Sequence, residues 1–358
     1  STNGIESTRY LAVDESRMLA DPARYYKGGK PDLQLFDKKL YEVNPDDKVA
    51  IARAAAEEVL GKDERIISVD SSYSDGEGSS YRLISNGFEG ESKSTWFSVS
   101  ASVSIKGEGE ARPQDYWYDS ALFYDKLTKT GIGAKALERV LRKLGQKKAK
   151  SGKYTMVVDP MNVGNLLSPM LSALYGSALQ QKNSFLMDKL DTKVASDLFT
   201  LRDEPHAIGA NGSRYFDNEG VATEPRTVFD KGVLKTYFID TYNGKKMDIA
   251  PTISAPSRLI LTPGDKDLNG LVADIKQGIL VTGFNGGNSN SSTGDFSYGI
   301  EGFLIEDGKL TQPVNEMNVT GNMVTLWNSL VAVGNDPQPN RSWQIPSLVF
   351  EGVDFSGL

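Results

Sequence analysis

There is no cysteine anywhere in the 358 residues, and there is one histidine, His206. The first absence removes disulfides and every thiolate-held zinc or iron–sulfur centre. The second leaves a catalytic metal site, which typically draws three protein ligands from His, Asp, Glu and Cys, short of its commonest donor. Asp203-Glu204-Pro205-His206 does set two carboxylates beside the histidine. They are adjacent to each other and split from His206 by proline, so the cluster has no regular ligand spacing. A Ser-His-Asp arrangement would have to use the same histidine, and no G-x-S-x-G elbow presents a serine to it. His206 therefore reads as a hydrogen-bonded histidine in a turn. Long apolar runs are missing too: none approaches the eighteen or so residues of a membrane-spanning helix. The opening stretch STNGIESTRYLAVDESR has neither an apolar core nor a cleavage site of the secretory kind, which makes the cytoplasm the expected location. Positive charge is in deficit as well, with 40 Lys and Arg against 47 Asp and Glu and a net charge of −7. Such an average field repels nucleic acid. The one basic run, Arg142 to Lys153, has no aromatic interleaving and reads as a solvated helix end, where cations favour the helix dipole.

What is present fits two α+β domains, with the division near Ser151: residues 1–150 and 151–358. With 39% hydrophobic residues, each can bury a core. Asn44-Pro45-Asp46-Asp47 opens a helix that Gly61 closes, with Val49, Ala52, Ala56, Val59 and Leu60 expected inward. Strands are expected over Arg65 to Ser72 and Ser79 to Asn86, around a turn at Asp75-Gly76-Glu77-Gly78. A longer strand runs from Ser94 to Lys106, where Phe97, Val99, Ala101, Val103 and Ile105 alternate with Ser98, Ser100, Ser102 and Ser104. That period of two predicts one buried face and one small, polar face able to admit an extended peptide. Trp96 and Tyr116-Trp117-Tyr118 are candidate groove rings, with core packing the expected use. Gly131-Ile132-Gly133-Ala134-Lys135-Ala136 opens a helix as a loose G-x-G-x-x-A, but no buried strand precedes it, so a dinucleotide site is not expected.

In the second half, Tyr154 to Val158 reads as a buried strand. Ser168-Pro169 reads as a helix start and Asp230-Lys231-Gly232 as a hairpin turn, followed by a strand from Val233 to Asp240. Asn322 caps a helix expected to reach about Ala332. Gly283 to Asn322 is the most informative stretch. A glycine- and asparagine-rich loop, with Gly286, Gly287, Asn288 and Gly294, precedes two strands, Phe296 to Ile305 and Leu310 to Val319, joined through Asp307-Gly308.

The run TGDFSYGIEGFLIEDGKLTQPVNEMNVTGN, followed by LVAVGNDP, resembles the C-terminal signature of the TldD/PmbA family, once called modulators of DNA gyrase. The likeness extends over most of the chain. It implies a metallopeptidase of the bacterial and archaeal cytoplasm acting on unfolded or extended peptides, in dimers that pair a TldD-type with a PmbA-type (TldE) subunit. It also implies a further segment upstream of the first residues, and Ser1-Thr2-Asn3 running into Gly4-Ile5-Glu6 looks like two segments joined across an omitted loop. TldD-type subunits carry HExxxH, two histidines for zinc and a glutamate as general base, with a cysteine further on. In this chain the matching window is Ser168-Pro169-Met170-Leu171-Ser172-Ala173, which supplies none of these. The resemblance therefore implies a PmbA/TldE-like subunit with no catalytic and no metal-ligating residues of its own, zinc being expected only in a TldD-type partner. Partnership could equally be a homodimer; no membrane is implied. The older family name implies an alternative, a regulator contacting DNA gyrase or nucleic acid.

Overall fold

The computed structural model describes residue 10 and residues 12–358. The junction expected around Ser1 to Glu6 lies outside the described residues. Two sheet-based units account for most of the rest, and the α+β class is the architecture observed.

In the first unit, α1 (Pro45–Glu57) begins as expected, with the Asn44 side chain accepting from the Asp46 N–H at 2.9 Å and Pro45 in the first turn. Its inward face differs from the expected one. Ala55 and Val59 are buried, while Val49 and Leu60 are exposed. Glu58 explains the rotation. Its carboxylate accepts the N–H groups of Gly131, Gly133 and Ala134 at 2.6, 2.8 and 3.2 Å, capping the start of α2 (Ile132–Leu141). The glycine-rich helix entrance thus holds a carboxylate of its own chain. Gly133 is required for the close crossing, since a Cβ there would meet the Ala55 carbonyl oxygen at 1.9 Å.

Three antiparallel strands lie against these helices: β1 (Ile66–Ile84), β2 (Phe88–Ile105) and β3 (Gln114–Ala121), in that order. The turn expected at Asp75 to Gly78 does not exist. β1 continues through it, with Gly76 opposite Trp96 and Gly78 opposite Ser94, and the Trp96 ring lies where a side chain at Gly76 would be. Gly76 makes room for a large ring on the neighbouring strand. The chain reverses instead at Ser85-Asn86-Gly87, where Gly87 has φ of 108°. Phe97, Val99, Ala101, Val103 and Ile105 face α1 and α2 and form this unit's core with Ile132, Ala136 and Val140.

The second unit is built around β4 (Gly152–Val158), β9 (Gln277–Ser289), β10 (Asp295–Glu306), β11 (Lys309–Asn322) and β14 (Leu348–Ser356). Their order is β11-β10-β9-β4-β14, and β14 pairs with β11 again through Asn318–Thr320 and Asp354–Ser356. The sheet thereby closes into a five-stranded barrel, with β4 and β9 parallel and its other pairings antiparallel. Met156 and Val158 join the main core. Val157 points the other way, under α6 (Leu268–Ala273) with Leu271 and Val272. Burial on both faces is why this strand reads as an unbroken apolar run.

Strand β12 (Leu330–Val333) borders β14. It occupies the end of the region expected to be helical, because α7 (Met323–Asn328), capped by Asn322 as expected, stops early. Three helices complete the numbering: α3 (Gly164–Ser172), α4 (Gly176–Gln180) and α5 (Thr241–Met247). A smaller sheet, β13-β8-β5-β6-β7, holds β5 (Leu201–Asp203), β6 (Arg226–Asp230), β7 (Val233–Leu234), β8 (Leu259–Leu261) and β13 (Trp343–Gln344). Lys231 and Gly232 make the expected hairpin turn at φ of 46° and 77°. The strand after it is far shorter than expected, Val233–Leu234, and Asp240, the expected strand end, instead accepts from the Asn243 N–H and starts α5.

Two segments tie the units together. Tyr25 and Tyr26 pack on the second unit, Tyr25 bridging to Val221 and the Tyr26 N–H donating to the Gly220 carbonyl. At the tip of the β1–β2 hairpin, fully buried Phe88 sits 5.3 Å from the Tyr25 ring and 5.1 Å from the Phe216 ring.

Candidate functional site

The window that resembles the metal motif lies in α3. This helix starts at Gly164 and not at Ser168, so Pro169 is inside it. Proline there withdraws one N–H from the helix ladder, which leaves the carbonyl of Asn165, an exposed residue, open to water. Met170, Leu171 and Ala173 are buried, and Ser168 and Ser172 are exposed one turn apart. Two hydroxyls with no base beside them make weak nucleophiles and poor zinc ligands. Among the described residues no three His, Asp or Glu side chains converge to hold a metal ion. Zinc, which the family resemblance implies, does not fit the residues present at this window.

The glycine-rich stretch is a strand end and not a loop. Gly286 and Gly287 lie in β9, where Asn285 and Gly286 oppose Gly299 as a β-bulge, their positive φ of 76° and 96° at the two glycines absorbed without a turn. Asn288 follows, exposed and opposite Ser297. The turn itself is Asn290 to Gly294. It reaches the metal window through one intermediary. The Phe185 N–H donates to the Ser291 carbonyl at 2.9 Å, the Phe185 ring covers Gly294, and the Ser184 hydroxyl donates to the Ala173 carbonyl at 2.6 Å. The signature hairpin and the degenerate window thus share one neighbourhood, although Gly286, Gly287 and Asn288 belong to the strands behind it.

Ser98, Ser100, Ser102 and Ser104 stand on the face of the first sheet opposite α1 and α2. The register adds Ser68, Asp70, Ser72 and Ser74 from β1 and Tyr116, Tyr118 and Ser120 from β3. Trp96 and Tyr116 are exposed here, which corrects the expectation that they pack in a core; Tyr116 and Tyr118 stack at 6.0 Å. Trp117 points to the helix side, under Arg139. The serines satisfy one another across strands, Ser72 to Ser100 at 2.9 Å, and Ser98 donates to the Asp119 carbonyl at 3.1 Å. The outcome is a flat, short-side-chain surface bordered by three aromatic rings.

His206 lies apart from this face. Its Nε2 is 3.0 Å from the Thr223 hydroxyl, which itself donates to the Arg214 carbonyl, so Nε2 carries the proton. Burial, then the Lys30 charge, hold its pKa below the usual histidine value. It is a hydrogen-bonded turn histidine, and among the described residues no serine or carboxylate completes a triad with it.

Sequence reasoning missed an ionic cluster between the units. Asp115 on β3 meets Arg139 and Lys143 of the α2 region at 3.3 Å each, and Lys143 continues to Glu301 on β10 at 2.7 Å. All four side chains are largely buried. Lys143 belongs to the run expected to be solvated; it and Glu301 are enclosed where the barrel meets α2. Nearby, Asp159 is buried with its carboxylate accepting the Asn162 N–H and side-chain amide at 3.0 and 2.7 Å. Burial pushes its pKa up despite those bonds and the nearby Arg139.

Residues 38–144 match the PmbA/TldA metallopeptidase central domain, and residues 151–357 match the PmbA/TldA metallopeptidase C-terminal domain. The chain belongs to the PmbA/TldD family. It is similar to the metalloprotease PmbA homolog of Haemophilus influenzae, 29% identical over 98% of this chain and 78% of that protein. A crystal structure from Bacteroides thetaiotaomicron, of a candidate modulator of DNA gyrase, is 74% identical with a TM-score of 0.98, covering 99% of this chain and 82% of that one. TldE of Thermococcus kodakarensis, at 22% identity and a TM-score of 0.80 over 98% of this chain and 82% of that one, shares the fold. Among the described residues no helix is long and apolar enough to cross a membrane.

Proposed function

We propose that this chain is the zinc-free, PmbA/TldE-type subunit of a cytoplasmic peptidase and supplies the surface that holds an extended peptide for a TldD-type partner. The open serine face, with Trp96, Tyr116 and Tyr118 on it, carries the reading. A peptide in β conformation adding to the free edge of β3 has its backbone hydrogen-bonded by the sheet, with its side chains beside the serine face and against rigid rings. Small hydroxyls leave room for any sequence, which suits a substrate recognised by being unfolded. The water-activating metal and its base come from the partner, because nothing in the Ser168–Ala173 window lowers the pKa of a nucleophile.

The test is to assay the purified chain against an unfolded peptide, alone and mixed with a TldD-type relative, with and without chelator. The expected result is no cleavage alone, cleavage by the mixture, and loss on chelation; tag-free protein should carry no stoichiometric zinc by elemental analysis. Chelator-insensitive cleavage by this chain alone, or about one tightly held zinc per chain, would overturn the assignment. An inactive mixture would favour contact with DNA gyrase instead.

A further inference from the structure

Where the first sheet meets the second unit there is a cleft of about 630 Å³, walled by Leu122 and Phe123 just beyond β3, by the loop around Ile208, and by the approach to β13. Three cations line it, Lys126, Arg258 and Arg341, and no carboxylate does. Among the described residues none of the three forms an ion pair, in a chain where seventeen other such pairs are made and acidic residues are in excess. Arg258 is the one of the three cleft cations with a buried donor left over. Its Nε is buried without a hydrogen bond, and burial lowers its pKa. The carboxylate nearest in influence, Glu204, is taken by Arg202 at 2.7 Å. Uncompensated buried donors of this kind are costly, and an anion in the cleft would satisfy them.

The cleft is also continuous with the serine face, since the Arg341 guanidinium lies 4.9 Å from the Tyr118 ring centroid. We infer that this cleft is a carboxylate-binding subsite at the end of the peptide-holding face. It takes the C-terminal carboxylate, or an Asp or Glu side chain near the C-terminus, of a peptide laid along that face. The guanidinium forks of Arg258 and Arg341 match the planar, two-oxygen geometry of a carboxylate, and Lys126 adds a point charge at the rim. This inference rests on the peptide-holding reading and gives that surface a direction, with the acidic end of the peptide at Arg258.

The experiment uses the full chain and a fluorescein-labelled ten-residue peptide of alanine and serine, read by fluorescence anisotropy. Three forms are compared: a free C-terminal acid, a C-terminal amide, and an amide ending in glutamate. One charge-assisted hydrogen bond corresponds to roughly a tenfold change in affinity, so the acid or the glutamate form, or both, should bind about ten times more tightly than the plain amide. Which of them does so identifies the source of the carboxylate. Arg258→Gln and the more exposed Lys126→Gln should each shrink that advantage while leaving the amide's affinity in place. Equal binding of all three forms, an advantage that survives both substitutions, or equal competition by a single-stranded oligonucleotide would overturn the subsite alone. Failure of every form to bind would overturn the peptide-holding reading together with it.

Discussion

Strand β3 has a charge cluster at each end, and the two clusters are opposites. At its start, Asp115 binds Arg139 and Lys143, and Lys143 binds Glu301 of the other unit. Just past its end, Lys126, Arg258 and Arg341 face one another across a cleft without a carboxylate. Both lie where the units meet, and both use arginine and lysine. The lesson is that a boundary between units is fastened where its charges are matched, and available to a ligand where they are not.

The most damaging way to break that contrast is at the matched end. Asp115→Ala leaves Arg139 and Lys143 enclosed with only Glu301 to balance them. It should cost about 3 kcal/mol, because removing one member of a buried ionic group strands the others. Urea unfolding measures this; a loss below about 0.5 kcal/mol would show that the cluster fastens nothing. Asp159→Asn is a smaller perturbation of the same region. Burial holds the folded pKa of Asp159 above its unfolded value, so the stability tied to its protonated form is complete at low pH and is lost as pH rises through the folded pKa. An asparagine does not ionise. The variant should therefore gain on the parent as pH rises from the acid range towards neutrality, in melting temperatures taken across that range, and a gap that shrinks with pH would contradict the account.

The smallest effect belongs to the open end. Lys126→Gln should change stability by no more than about 0.5 kcal/mol. Any change should be a gain at low ionic strength, from relieved repulsion, that fades at about 0.5 M salt. A clear loss that salt does not touch would mean that the cleft cations support the fold, and the contrast between the two ends would disappear.

The two ends of β3 were not equally visible in the chain. Alternation from Phe97 to Ile105 showed which face of β2 is buried, because that pattern depends on a period of two and on nothing distant. Asn44-Pro45, Asp230-Lys231-Gly232, Asp307-Gly308 and Asn322 marked caps and turns for the same local reason. Asp75 to Gly78 misled, since a glycine that makes room for Trp96, Gly76, looks like a glycine that makes a turn, while Asn86-Gly87 was the real reversal. Val49 and Leu60 were placed inward because the role of Glu58 depends on Gly131 to Ala134, a partner no local pattern reveals. The site divides in the same way. Missing ligands at Ser168 to Ala173 can be read directly, whereas Glu301 comes beside Lys143 only when the barrel meets α2, and Arg258 near Arg341 only when β13 pairs with β8 in the smaller sheet.

Phe88 carries a consequence for how the chain is made. The reversal of the first sheet ends on a ring whose pocket is formed by Tyr25 and Phe216, so one wall of the pocket leaves the ribosome before Phe88 and the other long after it. Until the later wall arrives, the end of a long hairpin has no burial for its tip, and its two strands are held together there by backbone pairing and the exposed Ser80–Ser92 and Tyr81–Glu89 hydrogen bonds. Contacts so far apart in sequence form late and slowly, and exposed strand ends in a waiting intermediate invite association with other chains. The nascent first unit is thus the stage at which this protein has most need of a chaperone, and lower temperature during synthesis should raise the yield of soluble chain more than any change made in the barrel.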